Sequence, residues 1–172
     1  MLTYLMITRP DLAHVVYKVS QFMSAPRSTH YAAVLRIIRY LRGTLYRGLF
    51  FSINSDYTLY AYSDVEWAGD VNDRKSITGY SVFFGSSLIS WKSKKQVIAS
   101  RSSVESEYRA HVDTTCEVVW LRRLLADFGY QQPHSTPIHC DSKAAIQIAH
   151  NDVLYERTKH IELDCHITRH HY

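Results

Sequence analysis

The sequence contains few cysteines, which form the disulfides of small secreted domains, and few prolines and glycines, which break helices and strands. Its 172 residues include only 3 cysteines, 4 prolines and 6 glycines. An odd number of widely spaced cysteines argues against a disulfide framework and favours a reducing compartment. The absence of a Cys-x-x-Cys pair leaves a structural zinc site with little support. No internal repeat or low-complexity tract is present.

Long apolar runs are also missing. None approaches the roughly 18 residues that a membrane helix needs, and the N-terminus lacks the charged-then-apolar layout of a signal peptide. We therefore expect no membrane partner and an intracellular location, in the cytoplasm or nucleus. A hydrophobic share of 46% and a charged share of 21% are ordinary for a globular domain. The net charge of +4 permits a polyanionic partner without requiring one.

Histidine is the one potential metal ligand that is abundant, with 10 copies. Four groups near the C-terminus could in principle gather around zinc: His160, Cys165, His166 and His170. The paired ligand spacings of zinc sites are absent, so histidines on a helix surface are the simpler interpretation.

Residues 1–52 have helical periodicity. The spacing of their apolar residues predicts one helix over 11–23 and a second over 30–43, with Ser28 or Thr29 as the N-cap of the second. The second helix carries a basic stripe made of Arg36, Arg39 and Arg42. Either a solvated face or contact with a phosphate backbone accounts for such a stripe.

From about residue 48 the hydrophobic period changes to two. Short runs rich in β-branched and aromatic residues predict strands at 48–53, 57–64, 78–85, 87–93 and 95–100. A long helix is expected over 102–129, followed by a strand at 137–142 and helices at 143–151 and 158–172. This order predicts an α/β domain with an appended helical piece.

Acidic residues stand where two of these strands end. Asp64 closes an alternating run, and Asp141 closes the strand that leads directly into a helix. Ligand sites in open α/β sheets gather at such strand ends. A carboxylate there is costly to desolvate unless a cation meets it.

The long helix supplies a third acid. Glu105 and Glu107 lie about 200° apart around the helix, so they cannot serve the same site. Steps of 3.6 residues from Glu107 reach an apolar stripe made of His111, Thr114, Val118, Leu121, Leu125 and Phe128. We therefore expect Glu107 on the buried face, and Glu105 facing water and serving the helix cap.

Asp64, Glu107 and Asp141 could converge on Mg²⁺, which prefers carboxylate oxygens and leaves positions for water and phosphate. Two such ions roughly 4 Å apart would activate water and stabilise the leaving oxygen in phosphodiester cleavage. Chance placement of the three acids is the alternative interpretation.

Several ordered motifs resemble one known family. They are "YSDVEWAGD", "RKSITGYSVFFGSSLISWKSKKQ", "SRSSVESEYRA", "EVVWLRRLL", "IHCDSKAAI" and "RTKHIELDCHITR". Together they closely resemble the ribonuclease H domain of copia-type LTR retrotransposon Pol polyproteins, over residues 53–172. Residues 1–52 resemble the helical tail of the family's reverse transcriptase, its thumb- or connection-like segment.

The resemblance implies a mixed sheet flanked by helices and Mg²⁺-dependent endonucleolytic cleavage of RNA in RNA–DNA hybrids, with Mn²⁺ as a substitute ion. It assigns the catalytic, metal-binding carboxylates to Asp64, Glu107 and Asp141. Glu66 and Asp70 are then expected to be turn and surface acids.

The chain departs from the family at its C-terminus. The family continues into a last strand and a helix that carries a fourth active-site aspartate, whereas this sequence stops at Tyr172. Glu162 and Asp164 lie in the wrong element to replace that residue. We therefore expect a truncated, weak or inactive enzyme with an uncovered sheet edge, which reverse transcriptase or another chain would cover. The alternatives are a non-catalytic nucleic-acid-binding remnant and a retrotransposon pseudogene fragment.

A cluster of cations gives a candidate nucleic-acid surface. Lys92, Lys94, Lys95 and Arg101 surround Trp91 in a stretch that can follow a phosphate backbone. A plain solvated loop is the alternative interpretation. Recognition of a hybrid would rest on A-form shape and 2′-hydroxyls rather than on base sequence.

Overall fold

Three helices form the N-terminal part of the chain. The computed structural model describes residues 2–70 and 72–150. After a 3₁₀ turn, the helices are α1 (Leu5–Thr8), α2 (Pro10–Ser20) and α3 (Ser28–Gly43). The second and third pack together through buried Leu12, Val16 and Ile37. Since α3 begins at Ser28, its cap is Arg27, whose backbone N–H donates to the His30 imidazole, and not Ser28 or Thr29 as expected.

A four-stranded mixed sheet confirms the predicted α/β class. Its strands are β1 (Leu59–Glu66), β2 (Ile77–Phe84), β3 (Ser87–Lys95) and β4 (Ile138–His139). They lie in the order β3-β2-β1-β4. The first three form an antiparallel meander, and β4 joins β1 in parallel.

Two predicted strands are wrong. Residues 48–53 and 96–100 form no strand, and their apolar side chains face solvent: Phe50, Ile53 and Val97 are each more than 80% exposed. An alternating pattern forms a strand only where a neighbouring strand offers free backbone groups. At the end of β3 the Gln96 N–H donates instead to the Ser76 carbonyl, and the chain leaves the sheet.

The long helix α4 (Ser103–Asp127) covers one face of the sheet. The core between them contains Leu59, Ala61, Val82, Val118 and Leu121, all at most 6% exposed. Burying each leucine or valine of this set contributes about 1.5–3 kcal/mol before conformational entropy is subtracted.

A short helix, α5 (Lys143–His150), packs against the first half of α4. The contact is made by Tyr108 and Val112 of α4 with Ala145 and Ala149 of α5. The alanines allow the two helices to approach closely, which fixes α5 and the turn that precedes it.

The N-terminal helices contact the other face of β3. Ser90 on β3 donates to Glu117 of α4, so Trp91 and Ser93, which alternate with it, face away from α4. Trp91 Nε1 donates to the Met6 carbonyl at 2.7 Å, and Ser93 Oγ lies 2.9 Å from His14 Nδ1. Residues 1–52 and the sheet are therefore in direct contact.

None of the helices described here is long and apolar enough to span a membrane. Within the same part of the chain, Cys140 is a free thiol. The helix expected over 158–172, the zinc group and the acids Glu162 and Asp164 lie outside the described residues.

Candidate metal centre

The structure brings the three predicted carboxylates together. Asp64 lies near the end of β1, Glu107 in the second turn of α4, and Asp141 two residues after β4. One carboxylate oxygen from each lies within 4.8 Å of the others. This spacing matches oxygen atoms that share one or two cations.

Local hydrogen bonds fix the backbone that carries each acid. Asp64 Oδ1 accepts from the Val65 N–H at 2.8 Å. Ser102 caps α4 by accepting from the Glu105 N–H, which sets the position of the first turns of that helix. Ser142 caps α5 in the same way through the Ala145 N–H, so the residue after Asp141 is also held.

The environment of Glu107 disfavours its negative charge. Burial, followed by repulsion from Asp141 and Asp64, raises the pKa of Glu107 to about 7. Its Oε2 is buried and has no hydrogen-bond partner within the described ranges. A buried carboxylate oxygen without a donor is costly unless a cation or proton meets it.

The donor set fits a hard divalent cation. Mg²⁺ takes oxygen ligands, and all three groups here are carboxylates. Among residues 2–70 and 72–150, no lysine or arginine forms an ion pair with Asp64, Glu107 or Asp141. The described lysines and arginines therefore do not neutralise these three carboxylates, and Glu107 Oε2 accepts no hydrogen bond from the described residues.

The apolar stripe of α4 runs from the carboxylate site to the core. His111, Thr114, Val118 and Leu121 are buried, as the spacing from Glu107 predicted. Glu105 was expected to face water, and this is wrong, because it is 5% exposed. Arg109 pairs with its carboxylate at 2.8 Å, which makes the burial of the charge possible.

Glu105 still caps α4, as expected. In a capping box its carboxylate would accept from the backbone N–H of the N-cap residue, and here it accepts from the residue before it. Its side chain accepts from the Arg101 backbone N–H at 2.9 Å, one residue before the N-cap Ser102. Glu105 therefore fixes the entry to α4, and Glu107 alone of the two is directed to the carboxylate site.

The two other acids of the first motif have structural roles. Glu66 is exposed and pairs with Lys18 of α2. Asp70 was expected at the surface, but it is 7% exposed and lies 2.7 Å from Lys95 Nζ. That hydrogen bond, with donation from the Asn72 N–H, lowers the pKa of Asp70 to about 2.

The predicted basic residues are distributed over two faces. Lys92 and Lys94 alternate with Ser93, so they lie on the α4 side of β3, and the Lys92 ammonium is 5.7 Å from the Tyr80 ring centroid. Lys95 is engaged by Asp70 and Asp73. Arg101 is exposed just before α4. Their contact with nucleic acid stays a prediction.

The sequence reasoning missed two aromatic residues beside the acids. Tyr62 and His139 stack at a centroid distance of 5.1 Å across β1 and β4. Each precedes a site carboxylate by two positions, Asp64 and Asp141 respectively. The available signal was the strand period of two, which places residues i and i+2 on one face.

The fold and site together define a mixed α/β domain with a three-carboxylate cluster built from two strand ends and a helix. The chain is 44% identical over 168 residues to the retrovirus-related Pol polyprotein of transposon RE2 of Arabidopsis thaliana, covering 98% of this chain and 12% of that protein. It is 43% identical over 169 residues to the corresponding polyprotein of transposon TNT 1-94 of Nicotiana tabacum, covering 98% of this chain and 13% of that protein. The chain is thus homologous over 98% of its length to Pol polyproteins of copia-type retrotransposons, and it spans about an eighth of these relatives.

A shorter relative is the secreted RxLR effector protein 161 of Plasmopara viticola. It is 47% identical over 119 residues, which make up 69% of this chain and 84% of that protein. No family model matches the chain, and no solved structure is significantly similar to it. The similarity to the two Pol polyproteins confirms the retrotransposon relationship predicted from the motifs.

Proposed function

We propose that the chain is a ribonuclease H-like domain that cleaves the RNA strand of RNA–DNA hybrids with Mg²⁺. The observation that carries the proposal is the convergence of Asp64, Glu107 and Asp141 within 4.8 Å. The α/β fold and the homology to retrotransposon Pol polyproteins support it. Divalent ions held beside a phosphate can promote phosphodiester cleavage, and a cluster of carboxylate oxygens such as this one can hold them.

The exposed acids and the half-buried acid contribute differently to this mechanism. Bound Mg²⁺ or Mn²⁺ would activate water and stabilise the leaving oxygen. Asp64 and Asp141, both exposed, offer carboxylates to the open side where a phosphate can enter. Glu107 is half-buried, and burial with repulsion from Asp141 and Asp64 raises its pKa to about 7. A divalent cation bound between the three groups would favour its ionised form. Placement of the three groups on a strand, a helix and a capped turn keeps them in position without substrate.

The test is hydrolysis of a labelled RNA–DNA hybrid, with Mg²⁺ and then with Mn²⁺. Asp64→Asn should abolish cleavage of the RNA strand, because the amide removes one negative oxygen donor. Asp127→Asn makes the same chemical change at an exposed position at the far end of α4, and it should leave cleavage unchanged. Circular dichroism would establish that both variants fold.

Two results would overturn the catalytic proposal. A folded wild-type chain that never cuts the hybrid would favour a non-catalytic binding remnant, provided that it still binds the hybrid without Mg²⁺. Cleavage that survives in Asp64→Asn would place the activity outside this carboxylate cluster. The hybrid is the proposed partner in each case, and reverse transcriptase or another chain is the proposed partner for an edge of the sheet.

A further inference from the structure

A groove of about 350 Å³ lies between α2 and the face of the sheet that carries Asp64. Asp64 and Tyr62 line it from β1, Gly79 from β2, Ser93 from β3 and His14 from α2. All the strand residues named here share one face, because Asp64 pairs with Gly79 and Gly79 with Ser93. The groove therefore continues directly from the carboxylate site towards the N-terminal helices.

Gly79 forms the floor of this groove directly opposite Asp64. A glycine inside a strand weakens it, because it has no side chain to pack and loses more entropy on folding. The backbone does not require glycine here, since the positive φ angles in the described chain belong to Ala68, Arg74, Gly85 and Gly129.

Packing within the protein does not require glycine at this position either. A Cβ at Gly79 would meet only the Asp64 carbonyl oxygen, at 3.8 Å, which is an ordinary contact. Gly69 is different, because a Cβ there would lie 2.5 Å from the Glu66 side chain. A glycine inside a strand often marks a place where a ligand or another backbone approaches closely. At Gly79 the only atom of the described residues near the Cβ position is the Asp64 carbonyl oxygen, which leaves room for a ligand.

His14 stands on the opposite wall of the groove. Its Nδ1 lies 2.9 Å from Ser93 Oγ, and this contact orients the exposed imidazole ring. Ser93 lies on β3, two residues after Trp91. When the serine hydroxyl donates to Nδ1, the proton is on Nε2, and that nitrogen can donate to a phosphate oxygen. When the ring is protonated, both nitrogens donate and the ring attracts an anion.

We propose that this groove holds the sugar–phosphate backbone of a nucleic-acid strand. The next phosphodiester linkage of the same nucleic-acid strand then lies at the carboxylates. The inference rests on the proposed function, since the continuity of the groove with Asp64 is what selects a nucleic acid as occupant. Gly79 lets the backbone of that strand approach β2, and His14 binds a phosphate oxygen from the side. The volume lies within the roughly 300–1,000 Å³ of pockets that hold small ligands, enough for about one nucleotide.

The test measures binding separately from cleavage. A fluorescein-labelled RNA–DNA hybrid is titrated with the full chain in Ca²⁺, and its anisotropy is recorded. Gly79→Val should fill the groove and weaken binding by about tenfold, the size of one or two lost contacts. Gly48→Val is the matched control, because Gly48 is exposed and has nothing within 4 Å of its Cβ position. It should bind as the wild type does.

Two further variants distinguish a loss of binding from a loss of folding in Gly79→Val. Gly79→Ala adds only the Cβ for which the structure has space, so it should fold as well as the wild type and bind more weakly. His14→Ala should weaken binding by about threefold to tenfold, the effect of one lost phosphate contact. His134→Ala, in an exposed loop, is the control for the histidine change.

The results separate this inference from the proposed function. If folded Gly79→Ala and His14→Ala bind the hybrid as tightly as the wild type, the groove is not the binding site, even if cleavage is intact. If these variants bind more weakly while the wild type never cleaves, the proposed binding groove is supported and the catalytic proposal fails. A wild-type chain that neither binds nor cleaves the hybrid overturns both.

Discussion

At the scale of single residues, Glu107 is the most informative group in the structure. Its pKa is raised to about 7, and the cause is burial followed by the charges of Asp141 and Asp64. A buried acid with a raised pKa binds its proton more tightly in the folded than in the unfolded state. Folding stability therefore falls as the pH rises from about 4.5, the ordinary glutamate pKa, through about 7.

Replacement of Glu107 by glutamine should therefore stabilise the apo protein at pH 8 and have little effect at pH 4.5. We expect the melting temperature to rise at pH 8 by about 2–4 °C, the shift produced by about 1 kcal/mol in a chain of this size. The wild type should gain a similar increment from Mg²⁺ at pH 8, and the variant should gain less. Differential scanning fluorimetry at the two pH values measures both effects, and an equal Tm gain at pH 4.5 would contradict the assigned cause.

The sequence could predict the site acids because their positions follow simple periods. Asp64 and Asp141 come at strand ends, and Glu107 is in phase with the apolar stripe of α4. It could not predict the burial of Glu105 and Asp70. Both depend on cations, Arg109 and Lys95, and the pairing with Lys95 is set by tertiary packing that no local period encodes.

At the scale of elements, Arg122 connects α4 to the loop before β4. Its guanidinium donates to the carbonyls of Gln132 and His134 and to Thr136 Oγ1, at 2.8–3.0 Å. These bonds hold the segment that leads into β4, and β4 in turn carries the chain to Asp141. The arginine is thus a positioning residue for one edge of the carboxylate cluster.

Replacement of Arg122 by alanine should loosen this loop. We expect a loss of about 1.5–3 kcal/mol in the free energy of unfolding, the usual contribution of hydrogen bonds from a charged donor. Mg²⁺ affinity, measured by isothermal titration calorimetry, should fall as well, because Asp141 would be held less firmly. The adjacent Arg123 is exposed, so Arg123→Ala provides the matched control. Unchanged Mg²⁺ affinity in a destabilised Arg122→Ala would limit the role of the arginine to stability.

The elements themselves were predictable where two signals agreed. The helix over 102–129 was located by its cap and its stripe, and the structure has it at 103–127. The strand expected over 48–53 had only local alternation, and no strand pairs with it among the described residues. Strand formation depends on a partner strand that is distant in sequence. A short alternating run can therefore predict a strand that the structure does not form.

At the scale of the whole molecule, the N-terminal helices and the sheet are joined by an exposed connection and by direct contacts. Tyr46, Phe50 and Ile53 in the connection are each more than 80% exposed. The contacts across the two parts include Trp91 with Met6, and the Lys95 N–H with the Tyr17 hydroxyl at 2.8 Å.

Brief digestion with chymotrypsin should therefore cut at Tyr46 or Phe50 before other sites. The two pieces should still elute together on size exclusion, because contacts outside the cut hold them. The double variant Tyr17→Phe, Trp91→Phe loses two hydrogen bonds and should release the pieces at a lower urea concentration. Pieces that separate at once in the wild type would show that these contacts do not join the two parts.

The pairing of β4 with β1 is only two residues long, Ala61 with Ile138 and Tyr62 with His139. So short a ladder can open while the meander of β1, β2 and β3 stays intact. Amide hydrogens of β4 should then exchange with solvent deuterium much earlier than those of β2. A ligand that bridges Asp141 to Asp64 selects the closed arrangement, so protection of the β4 amides and occupancy of the carboxylate site report the same equilibrium.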